Sequence, residues 1–360
     1  MNLMFDAMNT VAAESWGLMA TGISHGIGPG EETLTDINLI RLRQLIPSLR
    51  VTKFSKSVEA GNGADWEWWI GSSYDERWIK LRVQAKRSSH SGVRYDQLGH
   101  AVKLRDDDDE IVKDECGKSV SIKQYDTLIA QSLIDGAVPL HVFFNGWPED
   151  RFLFDDRYHD AIAVHRRAAR DGFLPSSAWN SSNWGCTVSS TETVKSIFED
   201  PTVSDFPDSM LDSKQVNDNR YVPRYLTHST PWAYLFRSRS RSDTPTIREI
   251  AQNLHQMQGA DWELTDDEFL EMTYPNPSTE AEEAAFEGMF TLRKSISIQE
   301  ERKRRDRWHR AQEFIRSSEF FSDLSRLFEG ADEERQRPGY RLLLELDPTH
   351  SPFFDPYQRG

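Results

Sequence analysis

The chain has 360 residues, 43 Lys and Arg against 58 Asp and Glu, a formal charge of −15 and two cysteines. Its length suffices for one large domain or two smaller ones, and two are expected. No stretch approaches the ~20 consecutive apolar residues of a membrane-spanning helix, and Asp6 and Glu14 stand where a basic leader would be, so a soluble, cytoplasmic protein with no membrane partner is expected. Cys116 and Cys186 have no His or Cys at ligand spacing and indicate neither a zinc site nor a disulfide framework.

Glu31 to Ile46 reads as the first substantial helix: Gly28 and Gly30 precede it, Pro47 stops it, and Leu34, Ile37, Leu42 and Leu45 recur at helical spacing. Val51 to Val58 follows as a strand. Asn62-Gly63 is a turn signal leading into the strand Ala64 to Ile70, which hairpins to Trp78 to Arg87. Alternation along that last strand puts Leu81, Val83 and Ala85 on one face and Lys80, Arg82, Gln84 and Lys86 on the other, the pattern of a half-buried strand. After the acidic run Asp106 to Glu110 come a helix from Ser121 to Ile134, ended by Gly136, and a buried strand, Val138 to Phe144, with Pro139 at its start. Asp156 to Asp171 reads as a helix, Gly185 to Ser190 as a strand, and a further helix begins near Thr191.

From Glu199 to Asp218 the chain is rich in Asp, Ser and Pro, which marks a domain boundary. Residues 1–200 then form an α/β domain and residues 201–360 a mainly helical module. Its helices are Thr246 to Met257, Thr265 to Met272, Glu280 to Met289 and the charged Ser297 to Leu327, followed by a strand at Tyr340 to Leu346.

The negative average conceals a local reversal. Between Arg41 and Arg105 there are thirteen Lys and Arg against six Asp and Glu, a basic surface on which Arg41, Lys53, Arg82 and Arg87 are the residues expected to meet nucleic-acid phosphates. Asp65 supplies a hard oxygen ligand, Gln84 a side-chain oxygen and Ala85 a backbone carbonyl, a donor set suited to Mg2+ or Mn2+. Lys86 is then placed for the attacking water or the scissile phosphate. Tryptophans 66, 68, 69 and 78 are expected to pack rather than to stack on bases.

The order helix, three strands, helix, strand, with Asp65 on the second strand and Gln84-x-Lys86 on the third, resembles the PD-(D/E)xK nuclease superfamily, the restriction-endonuclease-like fold, over residues 25–145. The phrases Glu31-Glu32-Thr33-Leu34-Thr35-Asp36, Gly63-Ala64-Asp65-Trp66-Glu67 and Val83-Gln84-Ala85-Lys86 are also similar to a QxK-variant branch of uncharacterised bacterial proteins. The resemblance implies an αβββαβ core in which Asp65 is the metal-binding Asp, Gln84 stands at the second acidic ligand, Lys86 is the catalytic Lys, and Glu31 or Glu32 is the helix Glu. A helical wheel slightly favours Glu31. Gln84 is neutral where the family usually has a carboxylate, and Glu67, on the same strand face as Asp65, would restore the missing charge.

The expectation is a Mg2+- or Mn2+-dependent endonuclease acting on DNA, with RNA also open, in the setting of antiviral defence, and with a second copy of the chain as a candidate partner of the C-terminal module. The competing expectation keeps the fold and discards the chemistry: a metal-free module that binds nucleic acid or a protein.

Overall fold

A 22-residue helix, α1 (Leu3–Ser24), precedes every element expected from the sequence. Its buried residues Met4, Met8, Val11, Ser15 and Met19 follow the three-to-four-residue spacing of one helix face, the period that the sequence analysis applied only from Glu31 onward. The computed structural model describes residues 3–53, 63–72, 77–88, 95, 98–103, 111, 113, 117–146, 181–199, 229–238, 244–258, 262–275 and 340–345. The helices expected at 156–171, 280–289 and 297–327, and the linker after Glu199, lie outside the described residues.

After α1 come α2 (Glu31–Leu45), β1 (Leu49–Lys53), β2 (Trp66–Ser72), β3 (Arg77–Arg87), β4 (Ala101–Lys103), β5 (Ser121–Lys123), α3 (Gln124–Asp135) and β6 (Val138–Phe144). Apart from the short β4–β5 pair, this is the expected order of helix, three strands, helix and strand. Further on are β7 (Cys186–Ser190), α4 (Thr191–Glu199), β8 (Thr230–Pro231), α5 (Ile247–Met257), α6 (Asp266–Met272), β9 (Tyr274–Pro275) and β10 (Tyr340–Glu345). The protein is therefore a mixed α/β structure.

The local reasons are visible in the chain. Glu31 and Glu32 occupy the first turn of α2, where carboxylates meet the positive end of the helix dipole. Gly136 ends α3 at φ 64°, the left-handed conformation that glycine adopts without a Cβ penalty. Both α5 and α6 open with reciprocal capping boxes. Thr246 Oγ1 accepts from Glu249 N while Glu249 Oε2 accepts from Thr246 N at 2.8 Å, and Thr265 and Glu268 repeat the arrangement.

The chain divides into two compact units, each built from separate stretches. The first comprises residues 1–51, 83–100 and 140–263. There β6 pairs antiparallel with β7, Leu140 opposite Ser190 and Phe144 opposite Cys186, and β7 pairs antiparallel with β8. Helix α1 packs so closely that a Cβ on Gly185 would collide with the Ala12 carbonyl. A buried polar cluster sits under it: Ser15 Oγ donates to Asn38 Oδ1 at 2.7 Å, and the Cys186 thiol donates to Ser15. Burial raises the Cys186 pKa to about 12, so this thiol is an inert core group. Trp232 Nε1 donates to the Met8 carbonyl at 2.7 Å, joining the residues before α5 to α1.

The second unit comprises residues 52–82, 101–139 and 264–360. In it β10 runs parallel to β2, with Tyr340 opposite Trp66 and Glu345 opposite Gly71. β9 pairs antiparallel with the start of β3, Trp78 opposite Tyr274. Trp66, Trp68, Trp69 and Trp78 are all buried, and Tyr274 packs against Trp69 and Trp78. The turn before β2 is fixed by Gly63, which has φ +69° and lies so close to α3 that a Cβ would stand 2.8 Å from the Gln124 carbonyl oxygen.

Candidate functional site

Strand β3 departs from the expected half-buried pattern: all of Trp78 to Lys86 is buried, on both faces. Lys80, Arg82, Gln84 and Lys86 therefore form a polar row inside the protein. Uncompensated charges in such a place cost several kcal/mol each, so the carboxylates that face them are informative.

In the second unit, Glu67 supplies that carboxylate. Its Oε2 lies 3.2 Å from Lys80 Nζ and 3.7 Å from Arg82 Nε, and its Oε1 accepts from Trp69 Nε1 at 2.7 Å. The Lys80 ammonium also lies 5.3 Å from the centroid of a Trp69 ring. The Glu67 side chain is 0 % exposed. This corrects two expectations. Glu67 is committed to two cations and an indole rather than standing by to replace the charge absent at Gln84. Arg82, 2 % exposed, belongs to the interior and not to a basic surface.

In the first unit, Glu31 faces Lys86. Lys86 Nζ lies 3.4 Å from Glu31 Oε1, and Glu31 Oε2 accepts from the Arg87 backbone N–H at 3.3 Å. The Lys86 side chain is 3 % exposed and that of Glu31 29 %, so the pair has a buried end and an open end. Of the two acidic residues expected from the first turn of α2, Glu31 makes this contact and Glu32 is exposed. Gln84 and Ala85 are fully buried one turn of the pleat earlier, with Gln84 on the Lys86 face.

His141 on β6 adds a residue that the sequence analysis passed over. It is fully buried, and its Nδ1 lies 3.1 Å from Thr191 Oγ1 at the start of α4. Burial first, and the Lys86 charge second, lower its pKa to about 3, so the imidazole is neutral at ordinary pH. The available signal was a lone histidine inside the apolar run Val-Pro-Leu-His-Val-Phe-Phe.

Asp65 is half-buried in the bend between Gly63 and β2. Arg41 is on the surface of α2 but its guanidinium is bound by Glu14, with Nε 2.9 Å from Oε2 and NH2 2.9 Å from Oε1. The hydrogen bond to Glu14, and then its charge, raise the Arg41 pKa. Arg87 donates from NH1 to the Ser88 carbonyl at 3.2 Å. Lys53 ends β1, and its side chain lies outside the described residues. Among the described residues, no three His, Cys, Asp or Glu side chains converge into a metal-holding group.

The described residues thus define a mixed α/β protein with a charged, buried central strand, and among them no helix is long and apolar enough to cross a membrane. The chain belongs to a family of unknown function, DUF6615, whose model matches residues 4–321. No curated protein and no solved structure matches it.

Proposed function

We propose that the protein is a divalent-metal-dependent nuclease with a restriction-endonuclease-like core, cutting DNA at the open end of the Glu31–Lys86 pair. The observation that carries this reading is the pair itself. A lysine buried on a strand, two residues after a buried glutamine, meets a partly exposed glutamate from the first turn of a helix. Desolvating an ammonium needs a compensating role, and holding a phosphate oxygen or an attacking water is such a role.

The donor chemistry fits Mg2+ or Mn2+: the Glu31 carboxylate, the Gln84 side-chain oxygen and the Ala85 carbonyl are hard oxygens, and the sequence motif adds the Asp65 carboxylate. When bound, the cation would supply charge neutralisation at the phosphate. Lys86 would orient the water or hold the scissile phosphate, and Glu31 would accept a hydrogen bond from Lys86 and keep its ammonium directed toward the rim.

A second reading is favoured by a specific observation: Glu67 is bound by Lys80 and Arg82, so it does not offset the neutral Gln84. In that case the protein is a catalytically silent module that binds nucleic acid or a protein partner. Purified protein is incubated with supercoiled plasmid in Mg2+ or Mn2+, beside Asp65→Ala, Lys86→Ala and an EDTA control. Metal-dependent nicking by the wild type, lost in both variants, is the expected result. Full activity in either variant overturns the site, and salt-sensitive DNA binding without cutting establishes the second reading.

A further inference from the structure

The Glu31 contact accounts for only one of the three donors of the Lys86 ammonium, and Glu31 Oε1 is its one hydrogen-bond acceptor among the described residues. Deeper in the first unit, His141 Nε2 is buried and has no hydrogen-bond partner among the described residues. The two groups are close enough for the lysine charge to act on the ring. Their strands run side by side, with Ser88 N donating to the Phe144 carbonyl at 2.9 Å. A buried donor and a buried acceptor, each short of a partner and in electrostatic contact, complement one another.

We propose that His141 is a positioning residue for Lys86: held by an Nδ1–H hydrogen bond to Thr191 Oγ1, the imidazole turns its Nε2 lone pair to the lysine ammonium across one buried water. Glu31, Lys86, His141 and Thr191 then form one hydrogen-bonded line from the rim of the site to the first residue of α4. The alternative tautomer would turn an N–H toward a cation, which the Lys86 charge disfavours. Because the ring stays neutral, Nε2 remains an acceptor throughout the range in which a nuclease would work. The role in cleavage rests on the nuclease reading, whereas the tautomer and its contact with Lys86 do not.

The test uses the full chain with isotope-labelled histidine. Nitrogen NMR is expected to show His141 protonated at Nδ1, with an Nε2 resonance that moves in Lys86→Met while Nδ1 stays in place. An Nε2 that carries the proton, or one that Lys86→Met leaves unmoved, overturns the proposal whether or not the protein cuts DNA.

His141 is in the core, so the gentler Thr191→Val variant reads the functional arm, with thermal melting as the check on folding. Loss of the tautomer lock is expected to lower kcat for plasmid nicking about tenfold or more with KM unchanged. Wild-type kcat in a variant whose tautomer has demonstrably changed overturns the positioning role. If the wild type does not nick DNA, the nuclease reading fails alone and the NMR result decides the contact.

Discussion

The same strand carries two buried cation clusters that are built differently. At Lys80 and Arg82 the carboxylate of Glu67 is fully enclosed and also satisfied by an indole N–H; at Lys86 the carboxylate of Glu31 keeps 29 % of its side chain in solvent. A closed cluster offers no route for an exchanging ligand, and its worth is confined to keeping the interior neutral. An open one can trade water for substrate without unfolding anything. The proposed function therefore rests on the Glu31 end of β3, and the Glu67 end is architecture.

The largest expected effect tests the open cluster. Lys86→Ala should lower metal-dependent nicking by about 100-fold or more while the circular dichroism spectrum is kept; cutting at the wild-type rate would remove the site. The closed cluster is probed by stability. Glu67→Ala strands two fully enclosed cations and should cost about 3–5 kcal/mol in urea denaturation, whereas Glu31→Ala strands one buried ammonium beside an opening that water can enter and should cost less, about 1–3 kcal/mol. Equal losses in the two variants would erase the distinction.

The next effect is on acid stability. His141 has a folded pKa near 3, below the value near 6.5 of an unfolded histidine, so between those values the unfolded chain binds the extra proton. Its contribution is fully present above about pH 6.5 and lost as the pH falls toward 3. Beside it stand the Lys86 cation and, beyond that, the Glu31 carboxylate. His141→Gln should flatten the fall in urea midpoint across that window; an unchanged slope would show that the ring is not held neutral.

A smaller effect is expected at Gly63, where alanine meets both a positive φ and the Gln124 carbonyl and should cost about 1–2 kcal/mol. The smallest belongs to the surface pair of Arg41 and Glu14: Glu14→Ala should leave the urea midpoint where it was, and a measurable shift would show that this pair matters to the fold.

Much of the element order was legible because it depends on short-range signals. Pro47 and Gly136 stop helices in the sequence and in the structure, and Val138–Phe144 is a strand with the expected bounds. What was not legible depends on partners remote in sequence. Alternation along β3 correctly separated its two faces, but nothing local tells that the polar face is also covered, since that requires Glu67 and Glu31 to come to it. His141 was hidden for the same reason: its partner, Thr191, lies fifty residues on. The helix α1 was missed for a different reason, since its periodicity was present and simply not sought.

The parallel pairing of β10 with β2 sets a schedule for the nascent chain. Trp66 must wait for Tyr340, so the ribosome has to deliver most of the protein before this edge of the second unit is sealed. Until then a strand carrying Trp66, Trp68 and Ile70 shows an unpaired edge of the kind that recruits other chains. Production of this protein should thus depend on β10, the last strand among the described residues: truncation before Tyr340 should yield inclusion bodies rather than a smaller soluble product.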